Sequence, residues 1–429
     1  MVYDVLRHVA SVTRVYLHTF GCKANQYDTE VVRQALETNG AISVDDPAEA
    51  DVAVINSCTV THVSEAKMRG LVRRLARKNR GIRTVVIGCA AELDDGTIAA
   101  LPGVTRVVGG TDPRSVLQAA GIAGNRVDSV LRRFSRGARA WLKIQDGCDE
   151  HCTFCATTAA RGNSRSRAPQ EILAEARSLA ERHREIVLTG VHIGSYGRDR
   201  GGDESLGSLL ELLVAEVPVV RFRLTSIEAT EIEARLVDIM CSDPDRLAPH
   251  IHAPLQSGSD RVLRRMGRHW YTGLSYRKHI ERIVGRLPRL GLGADVMVGF
   301  PAESEDDHAA TVSLVRDLPF TYLHVFPYSE RPGAPSRMLD APVEVGVSRR
   351  RSLELRTLAG RKARSYSAAS DGAVADVVLL RRNGGRFEGI TGDYLTVCLG
   401  TDTVPDSRCT ATLEIVGDDV WARPKESAP

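Results

Sequence analysis

The sequence predicts an α/β protein in three parts: a doubly wound parallel sheet, an open partial (β/α)6 barrel and a small all-β barrel. Three observations predict it. A strand–cysteine–helix unit recurs three times before residue 125, six strand-like runs alternate with helical patterns between 135 and 345, and short alternating runs replace both after 370.

In residues 13–125 the strand-like runs are "RVYLHTFGC", ending at Cys22, "ADVAVINSC", ending at Cys58, and "RTVVIGC", ending at Cys89. A fourth, "VTRVVGG" (104–110), lacks a cysteine. Apolar residues at helical spacing fill Tyr27 to Thr38 and Ser64 to Asn79. Right-handed crossovers place every strand's carboxyl end on one edge of a parallel sheet, so the three cysteines share that edge. Residues 1–12 read as an extension with neither a sustained apolar segment nor a small-residue cleavage site, and no run of 18 apolar residues occurs anywhere. Neither a signal peptide nor a membrane span is expected, and the expected compartment is the cytoplasm.

Residues 135–365 carry strand-like runs at 139–145, 185–190, 220–226, 249–255, 293–299 and 322–328. Helical patterns occupy Pro169 to His183, Leu206 to Glu216, Ile232 to Cys241, Tyr276 to Leu287 and Glu305 to Asp317, with Pro169 where a first helical turn tolerates it. Six units fall two short of a closed barrel of eight, and the site belongs at the strands' carboxyl ends. An arginine-rich helix, 347–365, leads to residues 370–425, whose runs 373–380, 394–400 and 409–417 are split by Gly and Asp turns. Small barrels of this kind present a face to oligonucleotides.

The net charge is +3, yet arginines bunch at 68–83, 131–139, 160–167, 261–269 and 348–365. Each cluster alone reads as a solvated helix face; five together point to a polyanion. Nine cysteines, an odd number without dense spacing, oppose a disulfide framework and favour metal or redox use. Cys241, Cys398 and Cys409 lie in no repeated context and are assigned to packing. No coiled-coil pattern is visible, so a monomer is expected.

The sharpest motif is "QDGCDEHCTFCATTAARG", with Cys148, Cys152 and Cys155 spaced C-x3-C-x2-C just past a strand. Thiolates suit iron–sulfur clusters or zinc, and both normally take four ligands. His151 could complete a zinc site, but its place inside the first gap makes tetrahedral convergence awkward. Three thiolates on a four-iron cluster leave one iron open for a small molecule.

This loop, after the first strand of a partial barrel, resembles the radical S-adenosylmethionine superfamily. From about residue 13 to 425 the chain is similar to its methylthiotransferase family, through the six cysteines and "TFGCKANQYDTE", "LTGVHIGSYG", "LTSIEAT", "HAPLQSGSDRVLRRMGR" and "VMVGFPAESEDD". The resemblance implies two 4Fe-4S clusters, one on Cys148, Cys152 and Cys155 that binds S-adenosylmethionine, and an auxiliary one on Cys22, Cys58 and Cys89. It implies a C-terminal TRAM-like RNA-binding barrel. Cofactor contacts are expected from Phe154, Gly190, Ser226, Glu228, Gln256, Ser257, Asp295, Gly299, Phe326 and Pro327, with core packing the alternative for Phe154 and caps or turns for the others. The implied chemistry is cleavage of S-adenosylmethionine to a 5′-deoxyadenosyl radical, hydrogen abstraction from a C–H bond, sulfur delivery from the auxiliary cluster and methylation by a second cofactor molecule. No acid–base residue is demanded. The chain departs from many relatives at Ala156, Thr157, Thr158 and Ala159, which puts the packing around the cofactor in question.

"TFGCKANQYDTE" is most like the subgroup acting on N6-threonylcarbamoyladenosine at position 37 of tRNA. Lys23, Asn25, Gln26, Tyr27 and Asp28 either touch substrate or cap a helix. Arg161, Arg165 and Arg167 are candidates for the base's carboxylate. Implied partners are a tRNA anticodon loop, S-adenosylmethionine and an electron donor such as flavodoxin or ferredoxin. The alternatives are N6-isopentenyladenosine tRNA, a ribosomal-protein aspartate, or a non-catalytic RNA-binding iron–sulfur protein.

Overall fold

The computed structural model describes residues 12–59, 62–135, 137–287, 289–331, 333–383, 386–400 and 408–425; the expected extension lies almost wholly outside them. The chain forms two compact units, 1–131 and 132–429. Among the described residues no helix is long and apolar enough to cross a membrane.

The first unit holds β1 (Arg14–Thr19), α1 (Lys23–Thr38), β2 (Ile42–Val44), β3 (Val52–Ser57), α2 (His62–Lys78), β4 (Arg83–Gly88), α3 (Cys89–Glu92), β5 (Val104–Gly109) and α4 (Pro113–Ala120). All pairings are parallel, in the order β2-β1-β3-β4-β5. Two-residue periodicity splits the central strands between two cores. Val52, Val54, Val85 and Ile87 pack with Val32 and Leu36 of α1 and Leu117 of α4. Ala53, Ile55 and Val86 pack with Met68, Val72 and Leu75 of α2. Helix α1 begins at Lys23, four residues before the apolar pattern showed it. The three-residue edge strand β2 went unpredicted because none of its side chains is fully buried.

The second unit contains six parallel barrel strands: β6 (Arg139–Lys143), β9 (Glu185–Thr189), β10 (Arg221–Leu224), β11 (His250–His252), β12 (Gly291–Val298) and β13 (Tyr322–Pro327). Bridges Phe222–Leu247 and Ser226–His252 join the two three-stranded halves. A two-stranded ribbon, β7 (Gln145–Asp146) with β8 (Arg165–Ser166), flanks the cysteine loop and α5 (Thr157–Arg161). The outer helices are α6 (Pro169–Ala180), α7 (Leu206–Glu216), α8 (Ala234–Ser242), α9 (Asp260–Arg265), α10 (Gly273–Val284) and α11 (Glu305–Asp317). Strand β11 stops at His252 although the apolar run continues to Leu255: the amides of Leu255 and Gln256 both donate to the Asp295 carbonyl, and Gln256 has φ +59°.

Helix α12 (Val345–Ala368) leads to a closed barrel of β14 (Val374–Asn383), β15 (Arg386–Thr391), β16 (Thr396–Gly400), β17 (Arg408–Val416) and β18 (Asp419–Pro424). Charged residues in "RFEGIT" and "DVWARP" hid β15 and β18 from the alternation. This barrel seals the amino ends of the larger one. Fully buried Arg221 and Arg223 bind Glu185 on one side. On the other, Arg221 donates to the Asp376 carbonyl (2.9 Å) and Arg223 to the carbonyls of Gly392 (2.9 Å) and Thr391 (2.8 Å). Tyr394 stacks on His250, ring centres 4.2 Å apart.

Candidate metal centres and active site

Cys22, Cys58 and Cys89 follow β1, β3 and β4, three adjacent strands, and the topology reverses direction between β1 and β3, where open sheets hold ligands. Asn25 gathers them. Wholly buried on the first turn of α1, it donates from Nδ2 to the carbonyls of Phe20 (3.0 Å) and Ser57 (2.9 Å). Its Oδ1 accepts from the thiols of Cys22 (3.8 Å) and Cys89 (3.9 Å). Cys58 closes the group from beneath Gly21, whose φ of +105° and a clearance of 2.7 Å from a hypothetical Cβ to the Cys58 Sγ exclude any side chain there. Asn25, Tyr27 and Asp28 are buried; Lys23 and Gln26 are half-buried. The buried three pack within the unit.

The second triad lies on the loop between β7 and α5, each thiol half-buried. The loop is pinned by hydrogen bonds from the Cys148 amide to the Gly162 carbonyl (3.0 Å), from the Thr153 amide to the Met266 carbonyl (2.9 Å) and from the Ser336 amide to the Thr153 carbonyl (2.8 Å). At Gly147, φ +72°, a Cβ would stand 1.9 Å from the Asn163 carbonyl oxygen. Polar or cationic groups face the sulfurs: His192 Nδ1 lies 3.7 Å from Cys148, Arg268 Nη1 3.6 Å from Cys152, and the Thr157 amide 3.3 Å from Cys155. Burial pushes the Cys152 thiol up to about 12 despite the guanidinium. Metal binding reverses that preference, because a coordinating thiol is deprotonated outright. Burial opposes protonation of His192, yet its hydrogen bonds to Cys148 and Glu231 hold it up at about 10. Three half-buried thiols on one braced loop suit a cluster with one open metal position.

The expected cofactor residues divide. Gln256 sits at the strands' carboxyl edge with Oε1 buried and unpartnered among the described residues, a vacancy that suits a polar ligand. Ser226 is exposed beside β11. The Gly190 backbone packs on Gln145, leaving no room for a side chain. Glu228 grips Arg268 and so acts on Cys152 through it. Phe154 and Phe326 pack against Val262, Met266, Met297 and Phe300. Gly299 donates to Glu303 and lines a cavity with Pro327. Ser257 is buried, bonded to Thr311 and the Ser259 amide, and serves the turn. Asp295 faces the barrel interior between His252 and His324.

Two of the three arginines proposed for a carboxylate are already paired: Arg161 with Asp146 (2.8 Å) and Arg167 with Glu175 (2.9 Å). Arg165 is exposed and donates to the carbonyls of Asn163 and Arg161. The departing segment supports the loop: besides the Thr157 amide on Cys155, the Thr158 hydroxyl donates to the carbonyls of Cys148 and Glu150. Sequence reasoning missed Gln145, fully buried, which donates to the Gly147 carbonyl (2.7 Å) and accepts from the amides of Val191 and His192. It ties the loop to β9. Its place beside "DGC" was the only signal.

These features define a radical S-adenosylmethionine protein with an added cysteine-bearing α/β unit. Residues 142–315 match the Radical SAM superfamily, and residues 14–110 match "Uncharacterized protein family UPF0004". The chain is 35% identical to the threonylcarbamoyladenosine tRNA methylthiotransferase MtaB of Bacillus subtilis (strain 168), over 89% of each chain. It is 32% identical to the protein of that name in Aquifex aeolicus, over 86% of this chain and 93% of that one. It is also 32% identical to a tRNA-2-methylthio-N(6)-dimethylallyladenosine synthase of Methylobacillus flagellatus, over 88% and 90%. The chain belongs to the radical S-adenosylmethionine methylthiotransferase family. It is an enzyme that uses S-adenosylmethionine and an iron–sulfur cluster.

Proposed function

We propose that this enzyme inserts a methylthio group at C2 of N6-threonylcarbamoyladenosine at position 37 of tRNA. The observation that carries the reading is the presence of two separate cysteine triads, one drawn together at Asn25 and one on a single braced loop, supported by the likeness to relatives named for that substrate. Cys148, Cys152 and Cys155 would hold the cluster that binds S-adenosylmethionine, and Cys22, Cys58 and Cys89 the auxiliary cluster. The bound groups supply reductive cleavage of S-adenosylmethionine and delivery of sulfur. The protein's share is positional. Gln145 and Thr158 hold the loop, Arg268 and His192 set the electrostatics at two of its sulfurs, Gln256 offers a hydrogen-bond group at the carboxyl edge, and Asn25 keeps the three N-terminal strand ends together. An electron donor such as flavodoxin or ferredoxin, a monomeric state and a cytoplasmic site of action complete the reading.

Mass spectrometry of tRNA nucleosides from cells with and without the gene tests it. Loss of the methylthio form of threonylcarbamoyladenosine in the deletion is expected. Loss of 2-methylthio-isopentenyladenosine instead would transfer the activity to the substrate of the Methylobacillus flagellatus relative's subgroup. Anaerobic, cluster-loaded protein given dithionite and S-adenosylmethionine should release 5′-deoxyadenosine. Cys22→Ala should keep that release while losing about one cluster's iron and all sulfur insertion.

A further inference from the structure

Inside the barrel of the second unit, three side chains from adjacent strands aim at one point. His252 Nε2 lies 3.2 Å from Asp295 Oδ1, and His324 Nδ1 lies 3.1 Å from the same oxygen. All three ligand atoms fall within 4.8 Å of one another. Asp295 and His324 are directly paired across β12 and β13, and His252 ends β11, so the fold itself sets the spacing. We infer that His252, Asp295 and His324 form a binding site for a divalent transition-metal ion.

Four features carry this. Two imidazoles and one carboxylate are the donor set of facial metal sites with open positions. Ligands about 2.1 Å from an ion at angles near 90–100° stand roughly 3.0–3.2 Å apart, which is the spacing of the two short contacts. The outer ring nitrogen of His252 is held by the Tyr322 hydroxyl at 3.0 Å, and that hydroxyl also meets His250 Nε2 at 2.8 Å. Such a partner on the far nitrogen fixes a metal-binding histidine's tautomer and ring. Finally, His324 is 64% exposed while His252 is buried, so an ion has an entry path to a half-enclosed site. The inference concerns the ion alone and does not depend on which base the enzyme modifies.

Equilibrium dialysis of cluster-loaded protein against micromolar zinc tests it, because the six cluster thiols are then occupied. Wild type should retain one equivalent of zinc beyond background, His324→Ala and Asp295→Ala none, and Tyr322→Phe should bind about 10–100-fold more weakly. Iron content and thermal unfolding, measured on the same samples, report whether each variant is folded. His324→Ala removes an exposed side chain and decides the matter if Asp295→Ala fails to fold. No zinc above background in wild type, or equal zinc in wild type and His324→Ala, would overturn the inference and leave three hydrogen-bonded side chains.

Discussion

Cys22 is exposed, and it is drawn toward Cys89 by Asn25, which stands three residues on and points back over the first turn of α1. Asn25→Asp replaces the donor to two carbonyls with a charged oxygen, leaving the Phe20 and Ser57 carbonyls unpaired. The expected cost is about 2–3 kcal/mol in the first unit, read by denaturant unfolding, with loss of roughly one cluster of iron after reconstitution. Thr157 is the corresponding detail in the second unit, its amide and hydroxyl both at the Cys155 sulfur (3.3 and 3.1 Å). Thr157→Val removes the hydroxyl, and hydrogen bonds to sulfur help set cluster potentials. A hydrogen bond worth about 0.5–1.5 kcal/mol corresponds to a fall of roughly 20–60 mV in midpoint potential, measurable by redox titration followed by paramagnetic resonance. An unchanged potential would remove Thr157 from the site.

At the scale of elements, the loop from β7 to α5 shows why three cysteines in a row of eight residues were easy to read and their bracing was not. Spacing is local; the partners at Met266 and Ser336 lie more than a hundred residues away. Gly147→Ala confronts both a left-handed backbone and the Asn163 carbonyl, so the barrel should lose at least about 2 kcal/mol. Iron should fall by about half, with the N-terminal triad still loaded, and wild-type iron in that variant would show that the loop tolerates movement. The helices Leu206–Glu216 and Glu305–Asp317 were legible to the residue because Ser205 and Ser304 form capping boxes ahead of apolar periodicity. Strands β15 and β18 were not, since their outward charges obscure a two-residue period.

At the scale of the second unit, the charged floor joins the two barrels. Glu185, fully buried, meets Arg221 and Arg223. Glu185→Gln strips two buried guanidinium groups of their shared counter-charge and should cost about 3–5 kcal/mol in unfolding free energy. Burial alone would raise the Glu185 carboxyl, but Arg223 and Arg221 hold it far below its ordinary 4.5. A depressed carboxylate contributes stability that is complete above its unfolded value and is lost as pH falls toward its folded one. Wild type should therefore hold this contribution from pH 8 to about 5 and lose it progressively below about 4.5, with Glu185→Gln showing a shallower acid decline. Identical acid profiles would show that the pair does not govern acid stability.

The sequence by itself determined the class of fold, the two cysteine triads and their shared sheet edge and loop, because periodicity and spacing are written in neighbouring residues. Only the tertiary structure decided what surrounds them. Asn25 turns inward onto the Phe20 and Ser57 carbonyls, Arg161 and Arg167 pair with Asp146 and Glu175, and Ser257 serves a turn. The same holds for Arg268 beside Cys152, for His252, Asp295 and His324, and for the sealing of one barrel by another through Arg221. Each depends on strands brought side by side from distant parts of the chain, where burial forces every polar group to find a partner that no local pattern announces.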